Sequence, residues 1–470
     1  MKYRLWFFIY PCILYLFHNS APSQEIPIKF YESQYYKLLY DVCENWDSHT
    51  LLGSTRFQDT FKYNVRKKLS KDSLNIHNRA GVYIFDNSKA IYGFSHSIYK
   101  RYYYGYLYPI IVDNSSLFLG YTGIPKEGFF GGSISMEMSK SGIGFQNDWL
   151  TLQYSRGNES WGAGNDIQLA LSEKSASYDY VTIGSNFGNL RAKYIHGYLE
   201  TTSTDINRYM TARGIEWSNL KSLIIALSEI IIYSGKNRPI DIGYLNPISS
   251  HLEIELNDRL NITGDGHANA VWQISIDWSY KKKLRLSGNF LYDEFVIDNS
   301  QKIEGKENGK AYSLKLAYTP IKSNKRLITL SSSLIHIGTP TFRHRFGFNN
   351  FVQRNIPLGW EHGSDGQELN FGLNYFNRLN LTIFIKTGIL QVGEESITTR
   401  VFDSYKDYIK GDFPSGINNS SRFIDGELQW WWKSTFSFLS GFNYRQLNDS
   451  QWDFNINMGV NIFLPFTASL

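Results

Sequence analysis

Residues 452–466 read Trp-Asp-Phe-Asn-Ile-Asn-Met-Gly-Val-Asn-Ile-Phe-Leu-Pro-Phe. Trp452, Phe454, Ile456, Met458, Val460, Ile462, Leu464 and Phe466 take every second place, and Asp453, Asn455, Asn457, Gly459 and Asn461 lie between them. A strand turns successive side chains to opposite faces, so this pattern describes one greasy side and one wet side. It is also long, passing the roughly 9–11 residues that a tilted strand needs to cross a bilayer.

The same pattern recurs upstream. Trp272, Ile274, Ile276, Trp278 and Tyr280 alternate with Gln273, Ser275, Asp277 and Ser279. Tyr312, Leu314, Leu316 and Tyr318 alternate with Ser313, Lys315 and Thr319. A soluble sandwich alternates too, but here the apolar phase is aromatic at its ends, as in the interfacial girdles around a lipid-facing band. A closed barrel is the sheet that satisfies all its backbone groups in hydrocarbon. The expectation is an all-β fold: a transmembrane antiparallel β-barrel of about 18 strands.

Read back from the C-terminus, strands fall near 451–466, 435–445, 422–432, 380–393, 367–376, 326–337, 311–319, 284–296 and 270–280. Others fall near 221–234, 208–217, 190–199, 178–186, 166–172, 149–155 and 133–146, and 80–110 supplies two or three more. With the end of the last strand in the periplasm, the short turns near 433–435, 377–378, 281–283, 218–219 and 188 fall on the periplasmic side. The long segments 394–421, 338–366, 297–310 and 235–269 fall outside, the sorting expected of an outer-membrane barrel.

Composition agrees. The 470 residues include 33 Tyr, 31 Phe and 12 Trp, and mean hydropathy is negative. A formal charge of +5 is too weak a bias for a nucleic-acid partner. The two cysteines, Cys12 and Cys43, exclude a disulfide scaffold. At the N-terminus Lys2 and Arg4 precede the apolar run Leu5 to Phe17, and Ala21-Pro22-Ser23 supplies small residues. Residues 1–23 therefore read as a signal peptide cut before Gln24, sending the chain to the outer membrane of a Gram-negative cell. Residues 24–77, where Tyr31, Leu38, Leu39 and Val42 fit a short amphipathic helix, read as a small partly helical module beside or within the periplasmic mouth. Residues 78–470 form the barrel.

The search for chemistry returns little. The ten histidines are scattered without metal-ligand spacing, and there is no G-x-S-x-G elbow. No catalytic residue, metal or cofactor is expected. Aromatic clusters could stack on sugar rings: Tyr99 to Tyr108, and Trp430-Trp431-Trp432. Adjacent aromatics at strand ends also make the girdle, so both readings stand. The loop carrying Asp403, Tyr405, Lys406, Asp407, Tyr408 and Lys410 mixes rings with charges where lipid should not reach.

Two stretches carry a resemblance. Residues 154–172 read Tyr-Ser-Arg-Gly-Asn-Glu-Ser-Trp-Gly-Ala-Gly-Asn-Asp-Ile-Gln-Leu-Ala-Leu-Ser, and 233–248 read Tyr-Ser-Gly-Lys-Asn-Arg-Pro-Ile-Asp-Ile-Gly-Tyr-Leu-Asn-Pro-Ile. This "WGxG" leading to "LxLS", then "YxGxxRP…YLNP", resembles the capsule-assembly Wzi family in the form common in Bacteroidetes, from about residue 75 onward. The resemblance implies a plugged outer-membrane barrel contacting lipid and binding capsular or extracellular polysaccharide without catalysis. Trp161, Arg238, Tyr405, Tyr408 and Trp430 are the candidate ligand-binding residues. In turns of this kind Trp161 and Arg238 also have a structural reading, and Gly157, Gly162 and Gly164 would fold Arg156–Asn165 inward from the periplasmic side. A conducting porin, or a component of a surface motility or secretion machinery, is the alternative.

Overall fold

The computed structural model describes residues 49–53, 73–85, 88–100, 102–114, 121–127, 133–147, 149–257, 259, 268–293, 303, 308–377, 380–404, 411–433, 436–448 and 451–469. Eighteen antiparallel strands close into a barrel. They are β1 (Ser73–Phe85), β2 (Ser88–Tyr99), β3 (Tyr103–Val112), β4 (Ser133–Gln146), β5 (Leu150–Gly157) and β6 (Tyr178–Phe187). Then follow β7 (Leu190–Thr201), β8 (Ile206–Ser218), β9 (Leu223–Lys236), β10 (Ala268–Tyr280), β11 (Leu284–Asp293) and β12 (Gly309–Lys322). The last are β13 (Leu327–Ile337), β14 (Gly366–Phe376), β15 (Leu381–Val392), β16 (Asn419–Lys433), β17 (Phe436–Leu447) and β18 (Asp453–Ser469). Each pairs with its sequence neighbour, and β1 closes on β18 from Ser73 opposite Ser469 to Phe85 opposite Asn457.

The pleat sorts the side chains as the sequence pattern requires. On β12 Tyr312, Leu314, Leu316 and Tyr318 are exposed on the outside, while Ser313, Lys315 and Thr319 are buried inside. Aromatic rings gather toward both ends of the outer wall: Tyr444 stacks on Trp452 at 4.4 Å at one, and Trp278 on Tyr280 at 5.8 Å at the other. Turn lysines lie over such rings: Lys281 over Tyr280, Lys100 over Tyr99 and Lys433 over Trp432. The turns at that end are short, with Lys281 and Lys282 at φ 52° in the β10–β11 turn. All long connections lie at the opposite end.

Three expectations need correction. Residues 166–172 are not a barrel strand. Ile167, Leu169 and Leu171 alternate with Gln168, Ala170 and Ser172, but all six are buried, so neither side meets the outside. β5 pairs directly with β6, Gly157 opposite Tyr178, and the residues between them fold into the lumen. Removing that strand from the count moves Arg156–Asn165 from the short-turn end to the long-loop end. The third concerns Tyr99 to Tyr108: Tyr99, Tyr102 and Tyr103 are exposed, but Tyr104, Tyr106 and Tyr108 point inward and are buried. The Tyr104 and Tyr106 rings lie across Gly144 and Gly142, their partners on β4, where any Cβ would collide with them. The first strand starts at Ser73, ahead of the boundary expected at 78. The expected signal peptide and helix lie outside the described residues.

Candidate functional site

A barrel of eighteen strands encloses space that must be filled or left wet. Here a plug fills it. Residues 158–177 leave β5 at the long-loop end, descend into the lumen and return to β6. Gly162 (φ +122°) and Gly164 (φ +76°) take the left-handed backbone that this turn requires. Trp161, 1% exposed, anchors the fold: Leu52 and Leu171 form isolated bridges to it, and its indole donates to Glu159 Oε2 at 3.2 Å. Lys193 on β7 donates to the same carboxylate at 2.7 Å. Burial pushes the Glu159 carboxyl up, but the Lys193 ammonium and these hydrogen bonds outweigh it and leave it below its ordinary value.

The wall of β10–β12 holds the plug's other flank. Asn289 donates to Ala163 O at 2.9 Å and accepts from Ala163 N at 2.7 Å. Ser313 donates to Ile167 O at 2.7 Å, and Lys315 to Asp166 Oδ1 at 3.0 Å. Buried polar groups are thus paired where strand meets plug.

From the short-turn end, His49–Gly53 press against the plug, Gly162 N donating to Leu51 O at 2.8 Å. The described part of the N-terminal segment therefore lies inside the barrel. Arg191 and Thr50 both donate to Glu216, at 3.0 and 2.9 Å, and His49 Nε2 meets Asp277 at 2.7 Å. Arg285 donates to Asp277 Oδ1 at 2.8 Å. Burial and the Arg285 guanidinium lower the His49 pKa from 6.5 to about 4, against the pull of Asp277.

From the long-loop end the 338–365 connection seals the plug. Ser172 N donates to Leu358 O at 2.8 Å and Trp360 N to Leu169 O at 3.1 Å. A cavity of about 330 Å³ remains between this layer and β14–β18. Lys174 pairs with Glu361, and Lys386 with Glu368 at 2.6 Å. Burial pushes the Glu361 carboxyl up, but the Lys174 ammonium and His362 bring it down to about 2. Lys386 and Arg445 lie over the Phe423 ring at 5.1 and 5.7 Å. Charges and amides around aromatic rings suit a small hydroxyl-rich or charged solute. Among the described residues no group of His, Cys, Asp and Glu could hold a metal.

The candidate residues do not converge. Trp161 lies in the plug. Arg238 is 2% exposed, lies over Tyr233 at 4.7 Å and pairs with Asp241 at 3.0 Å, on the outer side of the wall. Trp430 is exposed on the outer face of β16 and stacks on Phe438 at 5.8 Å. Tyr405 and Tyr408 lie outside the described residues. Sequence reasoning did not single out His49, Arg285, Asn289 or Glu361. The signal was there for two wall residues: Asp277 and Lys315 are charges on the inward phase of strands whose outward phase is apolar.

No family model matches the chain, and no curated protein matches it. Among solved structures it resembles Wzi, an outer membrane protein involved in group 1 capsule assembly in Escherichia coli and a carbohydrate-binding β-barrel. The TM-score is 0.60 at 11% identity, covering 92% of this chain and 98% of that one. It also matches OprD of Pseudomonas aeruginosa (TM-score 0.42, 11% identity, 84% of this chain and 95% of that one). OccK8 of the same organism matches with TM-score 0.45 and 9% identity, over 84% of this chain and 98% of that one. At 11% identity, what the likeness to Wzi shows is the barrel fold.

Proposed function

We propose that this chain is a non-conducting outer-membrane barrel that retains capsular or extracellular polysaccharide at the cell surface and performs no catalysis. The observation that carries the reading is the filled lumen. The plug is hydrogen-bonded to the barrel wall, to His49–Gly53 below it and to the 338–365 layer above it. A diffusion channel has no use for three stacked layers across its bore. The Wzi-like fold, from a barrel described as carbohydrate-binding, adds support. In this reading glycan contacts come from the long loops, including the Tyr405–Tyr408 stretch, and from aromatics at the rim.

The channel reading draws on one observation, the charged cavity beside β14–β18. Single-channel recording in a planar bilayer separates the two. The expected result is no steady conductance from the purified full chain, together with loss of surface glycan from cells lacking it. A large steady conductance would sink the anchor reading.

A further inference from the structure

Residues 237–257, which follow β9, do not stand above the rim; they fold down over the outer wall. Exposed Ile215 on β8, Leu227 on β9 and Ile274 on β10 mark the outward face of these strands. Continuing along the same face, Arg213, Glu229 and Tyr233 also point outward, yet they are buried. What covers them are two short helices of the connection, α1 (Ile242–Leu245) and α2 (His251–Leu256).

The contact is specific. Tyr244 of α1 stacks on Tyr233 at 4.8 Å, and its carbonyl accepts from the Tyr194 hydroxyl at 2.8 Å. His251 N donates to Glu229 Oε1 at 3.0 Å, and Arg213 Nη1 to Asn246 O at 3.1 Å. Beneath the helices Arg213 and Glu229 form an ion pair at 3.3 Å. Their outer side is apolar and uncovered: Ile242 is 70% exposed, Ile248 88% and Leu256 76%. Among the described residues the partly exposed acids of the segment are paired, Glu253 with Arg259 and Glu255 with His251 at 3.3 Å.

Length decides what lies against that outer side. Below the covered patch, the outward face of β9 runs only from Leu223 to Leu227. At about 3.3 Å per residue this is ~13 Å along the strand, and the longer outward stretch on β10, Ile274 to Tyr280, is ~20 Å, both short of the ~25 Å apolar band of a transmembrane barrel. The bilayer must therefore reach the helices. Bare, the wall there would offer an arginine and a glutamate to hydrocarbon, which is costly.

We propose that residues 239–257 form a lipid-embedded flap: Ile242, Ile248 and Leu256 lie against acyl chains of the leaflet at the long-loop end, and the flap screens the Arg213–Glu229 pair from them. This rests on the bilayer reading above, and the test separates the two. In a Cys12→Ser, Cys43→Ser background, bimane is attached to Ile248→Cys or Leu256→Cys in the flap. The same label goes on Leu227→Cys of the exposed wall, or on Asp205→Cys in a turn at the long-loop end. Each full-length protein is placed in vesicles containing dibrominated phosphatidylcholine, or exposed to aqueous iodide. The flap labels are expected to lose emission to brominated chains as fully as the Leu227 label, and no more than it to iodide. Iodide quenching matching the Asp205 label, or shielding from both quenchers as under a protein partner, overturns the flap while Leu227 still reports lipid. Iodide quenching at Leu227 itself overturns the bilayer reading and the flap with it.

Discussion

His49 is a neutral imidazole wedged between Asp277 and Arg285, its pKa lowered to about 4 by burial and by that guanidinium. A histidine that titrates lower folded than unfolded stabilises the fold fully above pH 6.5. The stabilisation declines as pH falls and is spent below about pH 4. The difference amounts to about 3 kcal/mol at most. Melting of the full chain in detergent should weaken between pH 6.5 and 4, and His49→Gln should flatten that dependence. An unchanged profile would remove His49 as its source. Lys193 makes a second case at this scale. Changing it to Met leaves the Glu159 carboxylate buried without its cation, a loss of about 3 kcal/mol or more. Lys193→Met should lower the melting temperature, and adding Glu159→Gln should restore most of it; no recovery would mean the two side chains act independently.

At the scale of elements, the alternating strands were legible because outward and inward solvents differ at every step; β12 is the clearest, with Tyr312 to Tyr318 outside and Ser313 to Thr319 inside. The plug was not. Residues 166–172 alternate as a strand does, but both faces are packed inside the lumen, and periodicity cannot distinguish a wall from what the wall encloses. The inward turn of Tyr104 and Tyr106 escaped for a related reason: their room comes from Gly144 and Gly142 on the next strand, a pairing no local pattern reveals. Because Gly157 already faces Tyr178 across the β5–β6 pair, residues 158–177 can be exchanged for a tight Gly-rich turn. That variant should keep its far-UV strand spectrum and gain steady conductance. If it stays closed, the plug is not the principal seal.

At the scale of the whole molecule, loop lengths and strand parity sorted short turns and long connections to opposite ends, with one inserted strand displacing part of the count. What loop length could not tell is where a loop goes. The 338–365 and 158–177 connections turn into the bore, whereas the 237–257 stretch lies along the outside, and each choice depends on side chains far away in sequence. Asn289 and Ser313 receive the plug; Tyr194, Arg213 and Glu229 receive the flap. The site was legible as the inward glycine turn around Trp161 and as inward charge, Asp277 and Lys315, without the partners that give it meaning.

The seam between β1 and β18 pairs the first strand with the last, from Ser73 opposite Ser469 to Phe85 opposite Asn457, while every other wall pairing links consecutive strands. Until the last strand is made, the first keeps an open edge, and closing it bears the largest loop entropy in the molecule. Nothing in the tube's geometry privileges this seam as a starting point. A chain with its C-terminal end linked to the residues ahead of His49, and cut instead at an exposed connection, would wind the same tube as a circular permutant.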